Sequence, residues 1–430
     1  MTAGNAHTLA ARRDRVFGAG APLFYREPLH IVRGEGVYLF DADGRRYLDL
    51  YNNVPSVGHG HPRVVQAMAA QQAMLNVHSR YLHEGAVAFA ERLVGLNHSG
   101  VASVVFSCTG TEANEVAIRM ARIATGRHGV VCSSAAYHGN SELVGALNPF
   151  ERRRAPSEAV RVFPTPELYR PIAPGADQAR NAEAYLERLQ EAISALEGNG
   201  AGFAALIVCP IFANDGLPDI PKDFMRRACE MAHAAGGLVI SDEVQAGYCR
   251  TGAWWGYQHA GFEPDITVLG KAMGAGLPLA ATMAGRDVVE GFRARTHYFN
   301  TFAASPLQAA VGMAVLDVIE AEGLAENAAR VGAAFKAMLR QRQPMDQRIG
   351  DVRGAGLFLG VEVVRGHGDS RPDKALAVEV VNRLKSMGFL TANAGVHGNV
   401  IKLRPPLAFS LADAEAFVEA FDQAMSQTHV

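Results

Sequence analysis

The chain has 430 residues, 49% of them hydrophobic and 20% charged, and carries a net charge of −2. That length suits a large α/β domain plus a smaller one rather than one small core. The near-neutral charge, and the lack of any basic cluster interleaved with aromatics, exclude a general nucleic-acid or anionic-membrane surface.

The first elements are short. "IVRGEGVYLFDADGRRYLDL" (31–50) alternates apolar and polar residues around Asp43-Gly44, which predicts a hairpin with a two-residue turn. "NNVPSVGHGHPRVVQAMAAQQAMLN" (52–76) turns helical after Pro62. From about residue 100 the pattern changes. The runs "ASVVFS", "HGVVCSS", "AALIVC", "GGLVISD", "DITVLG" and "AATMAG" alternate with helical stretches such as "EANEVAIRMARIA" and "DFMRRACEMAHAA". Continuous apolar runs separated by helices predict strands buried on both faces of a mostly parallel sheet. A long helical region starts after about residue 303, and a small α+β tail carries "GAGLFLGVEVV" and "GNVIKLRPPL" as strands. The expected organisation is an N-terminal segment (1–60) belonging to a small domain, a large domain (61–315), and a C-terminal part (316–430) that completes the small one.

Ligands of open α/β sheets collect beyond the carboxyl ends of the strands, and three such ends carry polar residues. "GGLVISDEVQAGYCRTG" places Asp242 after an apolar run, and "DITVLGKAMGAGLP" places Lys271 after another. Lysine is rare in this chain, at positions 222, 271, 336, 374, 385 and 402 only, so one at a buried strand end is conspicuous. "ASVVFSCTGTEANE" runs from a strand through Ser107, Thr109, Gly110 and Thr111 into a helix, a cradle for phosphate. It is neither a Walker A loop nor a G-x-G-x-x-G fingerprint. A phosphate cradle, a carboxylate and a lone lysine together point to pyridoxal phosphate (PLP). That cofactor needs a lysine for its Schiff base, an acid beside its pyridine nitrogen and an anchor for its phosphate. A lysine beside a cationic ring also loses basicity, which suits it to moving a proton.

These motifs resemble the class III PLP-dependent aminotransferases, and the resemblance covers nearly the whole chain, from "VYLFDADGRRYLDL" to "VIKLRPPL". It implies the aspartate aminotransferase-like fold, an α/β architecture whose small domain is built from both chain ends. It makes Lys271 the Schiff-base lysine, Asp242 the pyridinium partner, and Gln245 a donor to the ring hydroxyl. Gly110 and Thr111 become the phosphate loop, and Tyr137 of "AYHGN" the aromatic that stacks on the ring, with His138 beside it. Thr301 of "FNTFAASP" becomes a phosphate ligand donated across a dimer interface, so the resemblance implies a homodimer with shared active sites.

Two departures concern the substrate. Where the family often has a glutamate in the loop "CPIFANDG", Asn214 stands. Where an arginine usually precedes Pro-Pro, Lys402 stands, with Arg404 two residues later. Both members of the usual ion pair are changed together. "TFAASP" also replaces the usual glycine-rich "TFGGNP". "YLDLYNNVPSVGHGHPRVV" (with Asn53), "LNVHSRYLHE", "YFNT" and the lysine before Pro-Pro resemble the branch that includes ethanolamine-phosphate phospho-lyases. Asn53, Asn214, Lys402 and Arg404 are therefore the candidate substrate residues, and cations there suit a phosphate group; Lys402 and Arg404 could equally be solvated charges on a strand.

Other residues read more plainly. His59 and His61 of "HGHP" lack a third metal ligand and are expected in structural or pocket-wall roles, so no metal is expected. Cys108, inside the phosphate loop, is expected to pack rather than react. Five scattered cysteines without a C-x-x-C pair, and an N-terminal stretch without an apolar secretion core, suggest a cytoplasmic protein. The expected activity is transfer of an amino group from a small or ω-amino substrate to a keto acid. The alternative is elimination of phosphate from an amino-alkyl phosphate such as O-phosphoethanolamine.

Overall fold

The computed structural model describes residues 4–149 and 157–428. At its centre lies a seven-stranded sheet. Its strands are β1 (Ser103–Ser107), β2 (Gly129–Ser133), β3 (Val160–Phe163), β4 (Phe203–Val208), β5 (Leu238–Asp242), β6 (Ile266–Leu269) and β7 (Ala280–Ala284). The spatial order is β1-β7-β6-β5-β4-β2-β3. β3, β2, β4, β5 and β6 run parallel, and every residue of β2, β4 and β6 is buried, as strands covered on both faces require.

Two details differ from the expectation. β7 is antiparallel to both its neighbours, β6 and β1. The segment from Leu269 to Ala280 is too short for a crossover helix, so the chain turns back instead. The double reversal leaves β1 pointing the same way as the parallel strands. β3 was not foreseen, because "VRVF" at the sheet edge leaves Val162 half exposed and interrupts the apolar run with Arg161.

Residues from both ends of the chain share the smaller sheets. Ile31–Glu35, Tyr38–Asp41 and Arg46–Asp49 form a meander, and Phe389–Leu390 pairs parallel with Arg46–Asp49. The hairpin loop is one residue longer than the sequence suggests. The Asp41 amide donates to the Arg45 carbonyl (3.0 Å), so the loop is Ala42–Gly44. Asp41 Oδ1 accepts from the amides of Asp43 and Arg45, which stabilises the wider turn.

In the C-terminal sheet, Phe358–Gly366 lies between Ile349–Ala355 and Val400–Leu403, with Ala392–Ala394 at the edge. The run "GAGLFLGVEVV" (354–364) is thus the end of one strand, a turn at Gly356–Leu357 and a second strand rather than one strand. Gly354 (φ +102°) and Gly356 (φ +54°) adopt conformations costly for other residues, and Gly356 helps reverse the chain. Helices Pro306–Ala321 and Leu324–Arg340 supply the helical region. Among the described residues, no helix is long and apolar enough to cross a membrane.

Candidate active site

Asp242 ends β5, and Lys271 follows the adjacent strand β6 after Gly270. β1 leads through Cys108 and Thr109 into helix Gly110–Thr125. Because these strands point the same way, their ends meet at one edge. There Tyr137, His138, Asp242, Gln245 and Lys271 line a single cleft with Gly110 and Thr111.

The helix start is built to leave amides free. Thr109 Oγ1 accepts from the Glu112 amide (3.2 Å), and Glu112 Oε2 accepts from the Thr109 amide (3.3 Å) and the Cys108 amide (2.7 Å). This capping box leaves the Gly110 and Thr111 amides without intrahelical partners, facing an anion site with the helix dipole behind them. Two glycines keep the cradle open. A Cβ on Gly110 would lie 2.9 Å from Val244 Cγ1, and one on Gly139 would lie 2.6 Å from Thr111 Oγ1. Gly139 also has φ +146°, where other residues are strained.

Three donors orient Asp242, which is only 5% exposed. His138 Nδ1 donates to Oδ2 at 2.6 Å, Asn114 Nδ2 donates to the same oxygen at 3.0 Å, and the Val244 amide donates to Oδ1 at 3.0 Å. Asn114 Nδ2 also donates to the His138 carbonyl (2.8 Å), so the three residues form one rigid unit. Lys271 sits opposite, at a positive φ of 23° unusual for a lysine. Burial lowers the pKa of its amine; the Asp242 charge opposes that shift and Arg404 adds to it.

Gln245 joins the cleft to the chain-end residues. Its Oε1 accepts from Arg404 Nη1 (2.5 Å) and Lys402 Nζ (3.4 Å), and its Nε2 donates to Asn214 Oδ1 (3.3 Å). Its carbonyl accepts from Asn53 Nδ2 (3.1 Å). All four candidate substrate residues therefore converge on one glutamine. Lys402 and Arg404 are 3% and 9% exposed, so they are not solvated surface charges. Arg404 Nε donates to the Tyr51 carbonyl (2.6 Å), and its guanidinium lies 4.4 Å from the Tyr51 ring centroid. Burial lowers the pKa of both, most of all Lys402, with Arg404's like charge as the second cause.

Thr301 is elsewhere. It borders a separate surface cavity of about 590 Å³ with His78, Tyr81 and Phe302, the last 73% exposed. His59 Nε2 pairs with buried Asp49 Oδ2 (2.8 Å) and His61 Nε2 with Glu322 Oε1 (2.9 Å), so both histidines hold loops. Cys108 packs beside Asn300 and Gln308. The sequence reading missed Asn114, Val244 and Cys209. Asn114 could have been found as the polar residue among Ala113, Val116 and Ala117 on a buried helix face. Val244 and Cys209 carry no such signal.

An amine, a carboxylate held by three donors and a glycine-bounded phosphate cradle line one cleft, and that donor set fits PLP. A family profile, aminotransferase class-III, matches residues 24–425. The chain belongs to that family. Class-III aminotransferases are PLP-dependent, and PLP is the cofactor of this chain. The chain is similar to a Drosophila melanogaster protein named alanine–glyoxylate aminotransferase 2-like, 36% identical over 96% of this chain and 86% of that protein. It is also similar to the solved structure of an Arthrobacter phospholyase in complex with phosphoethanolamine, at TM-score 0.95 and 35% identity over 98% and 100% of the two chains. An amine transaminase from an uncultivated Pseudomonas species, solved in the PLP-bound form, superposes at TM-score 0.87 with 28% identity over 96% and 98%.

Proposed function

We propose that this enzyme eliminates phosphate from a small amino-alkyl phosphate such as O-phosphoethanolamine. One observation carries the reading. Lys402 and Arg404 are buried behind Gln245, which lines the cleft and accepts from both, and among the described residues no carboxylate pairs with either at ion-pair distance. Charging two adjacent buried basic groups without a counter-ion is expensive, so burial favours the neutral Lys402 amine until a ligand supplies negative charge. A carboxylate would balance one of them, whereas a phosphate dianion balances both and matches the guanidinium fork. The likeness to the phosphoethanolamine-bound phospholyase supports the same choice.

PLP, when bound, supplies an electron sink for the pair released as a Cα bond of the amine breaks. The chain's residues would do the rest. Asp242, held by His138 and Asn114, would keep the proton on the ring nitrogen. Lys271 Nζ, its basicity reduced by burial, would take the proton from the substrate Cα. Lys402 and Arg404 would bind the departing phosphate as its charge grows. The Cα–H and Cβ–O bonds break, phosphate leaves, and water converts the remaining two-carbon fragment to acetaldehyde and ammonia.

The second reading is amino transfer to a keto acid, which the likeness to the aminotransferase-named relative favours. It would use Arg404 alone for a carboxylate. Incubating the holoenzyme with O-phosphoethanolamine separates the two. Phosphate and acetaldehyde released without any keto acid support elimination; turnover only when a keto acid is added supports transfer. With both reactions, two copies of the chain would share their sites, each giving Thr301 to the other's phosphate cradle.

A further inference from the structure

Arg250 lies in the loop that follows Asp242 and carries Gln245, yet the chemistry above makes no use of it. It is 1% exposed, and among the described residues no carboxylate pairs with it at ion-pair distance. Burial, and then the like charge of Arg404, pull its pKa down to about 9. Its Nε and Nη2 meet no acceptor. A guanidinium kept in such a place is costly, so what its remaining nitrogen holds is informative.

Nη1 donates to two carbonyls, those of Leu357 (3.2 Å) and Pro405. The Arg250 carbonyl in turn accepts from the Leu357 amide (3.0 Å). Leu357 ends the turn before strand Phe358–Gly366, and that strand pairs Gly360 with Lys402. Pro405 directly follows Arg404. Arg250 thus grips the strand beside one cation and the residue after the other. The approach is as close as backbone allows: a Cβ on Gly356 would lie 2.6 Å from the Arg250 carbonyl oxygen. One continuous loop therefore follows Asp242 and, through Arg250, anchors the Lys402–Arg404 pair.

We infer that Arg250 is a positioning residue: it fixes how far Lys402 and Arg404 stand from the reacting end of the cleft, and so the length of phosphorylated amine the enzyme accepts. The inference rests on the anion-binding reading given under Proposed function. A lysine in its place keeps the charge, but its shorter side chain leaves the ammonium short of the position from which Nη1 reaches both carbonyls.

The test uses holoenzyme of the wild type, Arg250→Lys and Arg250→Gln, with O-phosphoethanolamine as substrate and aminopropyl phosphate, one methylene longer, as competitor. In the variants KM for O-phosphoethanolamine rises about tenfold, as expected for a lost hydrogen bond to a charged group. kcat falls much less, and the competitor's disadvantage against the shorter amine shrinks. Wild-type KM and length discrimination in both variants would overturn the inference. If one variant does not fold, the other is read. If neither does, Gly356→Ala, which pushes on the same contact from the opposite side, is read on the same two constants. A wild type that neither turns over nor binds O-phosphoethanolamine sinks the anion site itself, a result distinguishable from failure of the Arg250 role.

Discussion

His138 Nδ1 donates to Asp242 Oδ2 at 2.6 Å, so the acid proposed as the partner of the cofactor's ring nitrogen is aimed by a second side chain. Replacing Asp242 with Asn removes the charge that would hold the ring proton, and kcat should fall by about 10²- to 10³-fold, the scale of losing one preorganised electrostatic group. His138→Gln loses one charge-assisted hydrogen bond, and about a tenfold fall is expected. Steady-state phosphate release, read alongside cofactor absorbance, checks the order. Equal losses in the two variants would contradict it.

Lys402 gives a pH dependence whose sign follows from its depressed pKa. Burial favours the neutral amine in the folded protein, so the group destabilises the fold fully below the folded pKa and progressively less as pH rises from there to the unfolded one. The penalty is absent above the unfolded value, where both states are neutral. A bound dianion restores the charge, and binding takes up a proton. Sulfate, which stays doubly charged at neutral and alkaline pH, should therefore bind more tightly as pH falls through the lowered Lys402 pKa. Inhibition by sulfate at several pH values measures this, and Lys402→Met should flatten the profile.

Thr301 borders the cavity beside Phe302 rather than its own cleft. If it serves a second copy, Thr301→Ala should weaken PLP affinity about tenfold while Lys271 remains reducible onto the cofactor. Titration of apoprotein with PLP, with molar mass from light scattering, tests both halves. A monomer, or wild-type affinity, would rule out the shared site.

Gly139→Ala forces a Cβ to within 2.6 Å of Thr111 Oγ1 at a φ of +146°. The cradle must shift or the loop must strain, at a cost of about 1–3 kcal/mol. Lower PLP affinity is expected, along with a Tm several degrees lower, and calorimetry of the apo and holo forms separates the two effects.

Much of this was legible in the residues. Lys271, Asp242 and Gly110 stand where apolar runs end, and an open sheet brings such ends together. The convergence on Gln245 was not legible, because Asn53, Asn214, Lys402 and Arg404 are far apart in sequence and only tertiary packing joins them. The reversal of β7 was missed for a different reason. Its apolar pattern matches that of a parallel strand, and direction is set by connection length rather than composition. The turn at Gly356–Leu357 is hidden because the glycine-rich start of "GAGLFLGVEVV" reads as one strand, while the positive φ of Gly356 helps reverse the chain.

The pairing of Phe389–Leu390 with Arg46–Asp49 has a bearing on biogenesis. Tyr51 and Asn53, next to that strand, lie beside a neighbour synthesised after the whole central sheet. A ribosome would have released every residue of the central sheet while Arg404's seat was still missing. A nascent chain stalled near residue 380 would therefore contain Lys271 and Asp242 and yet lack Lys402 and Arg404, on which the proposed anion site depends.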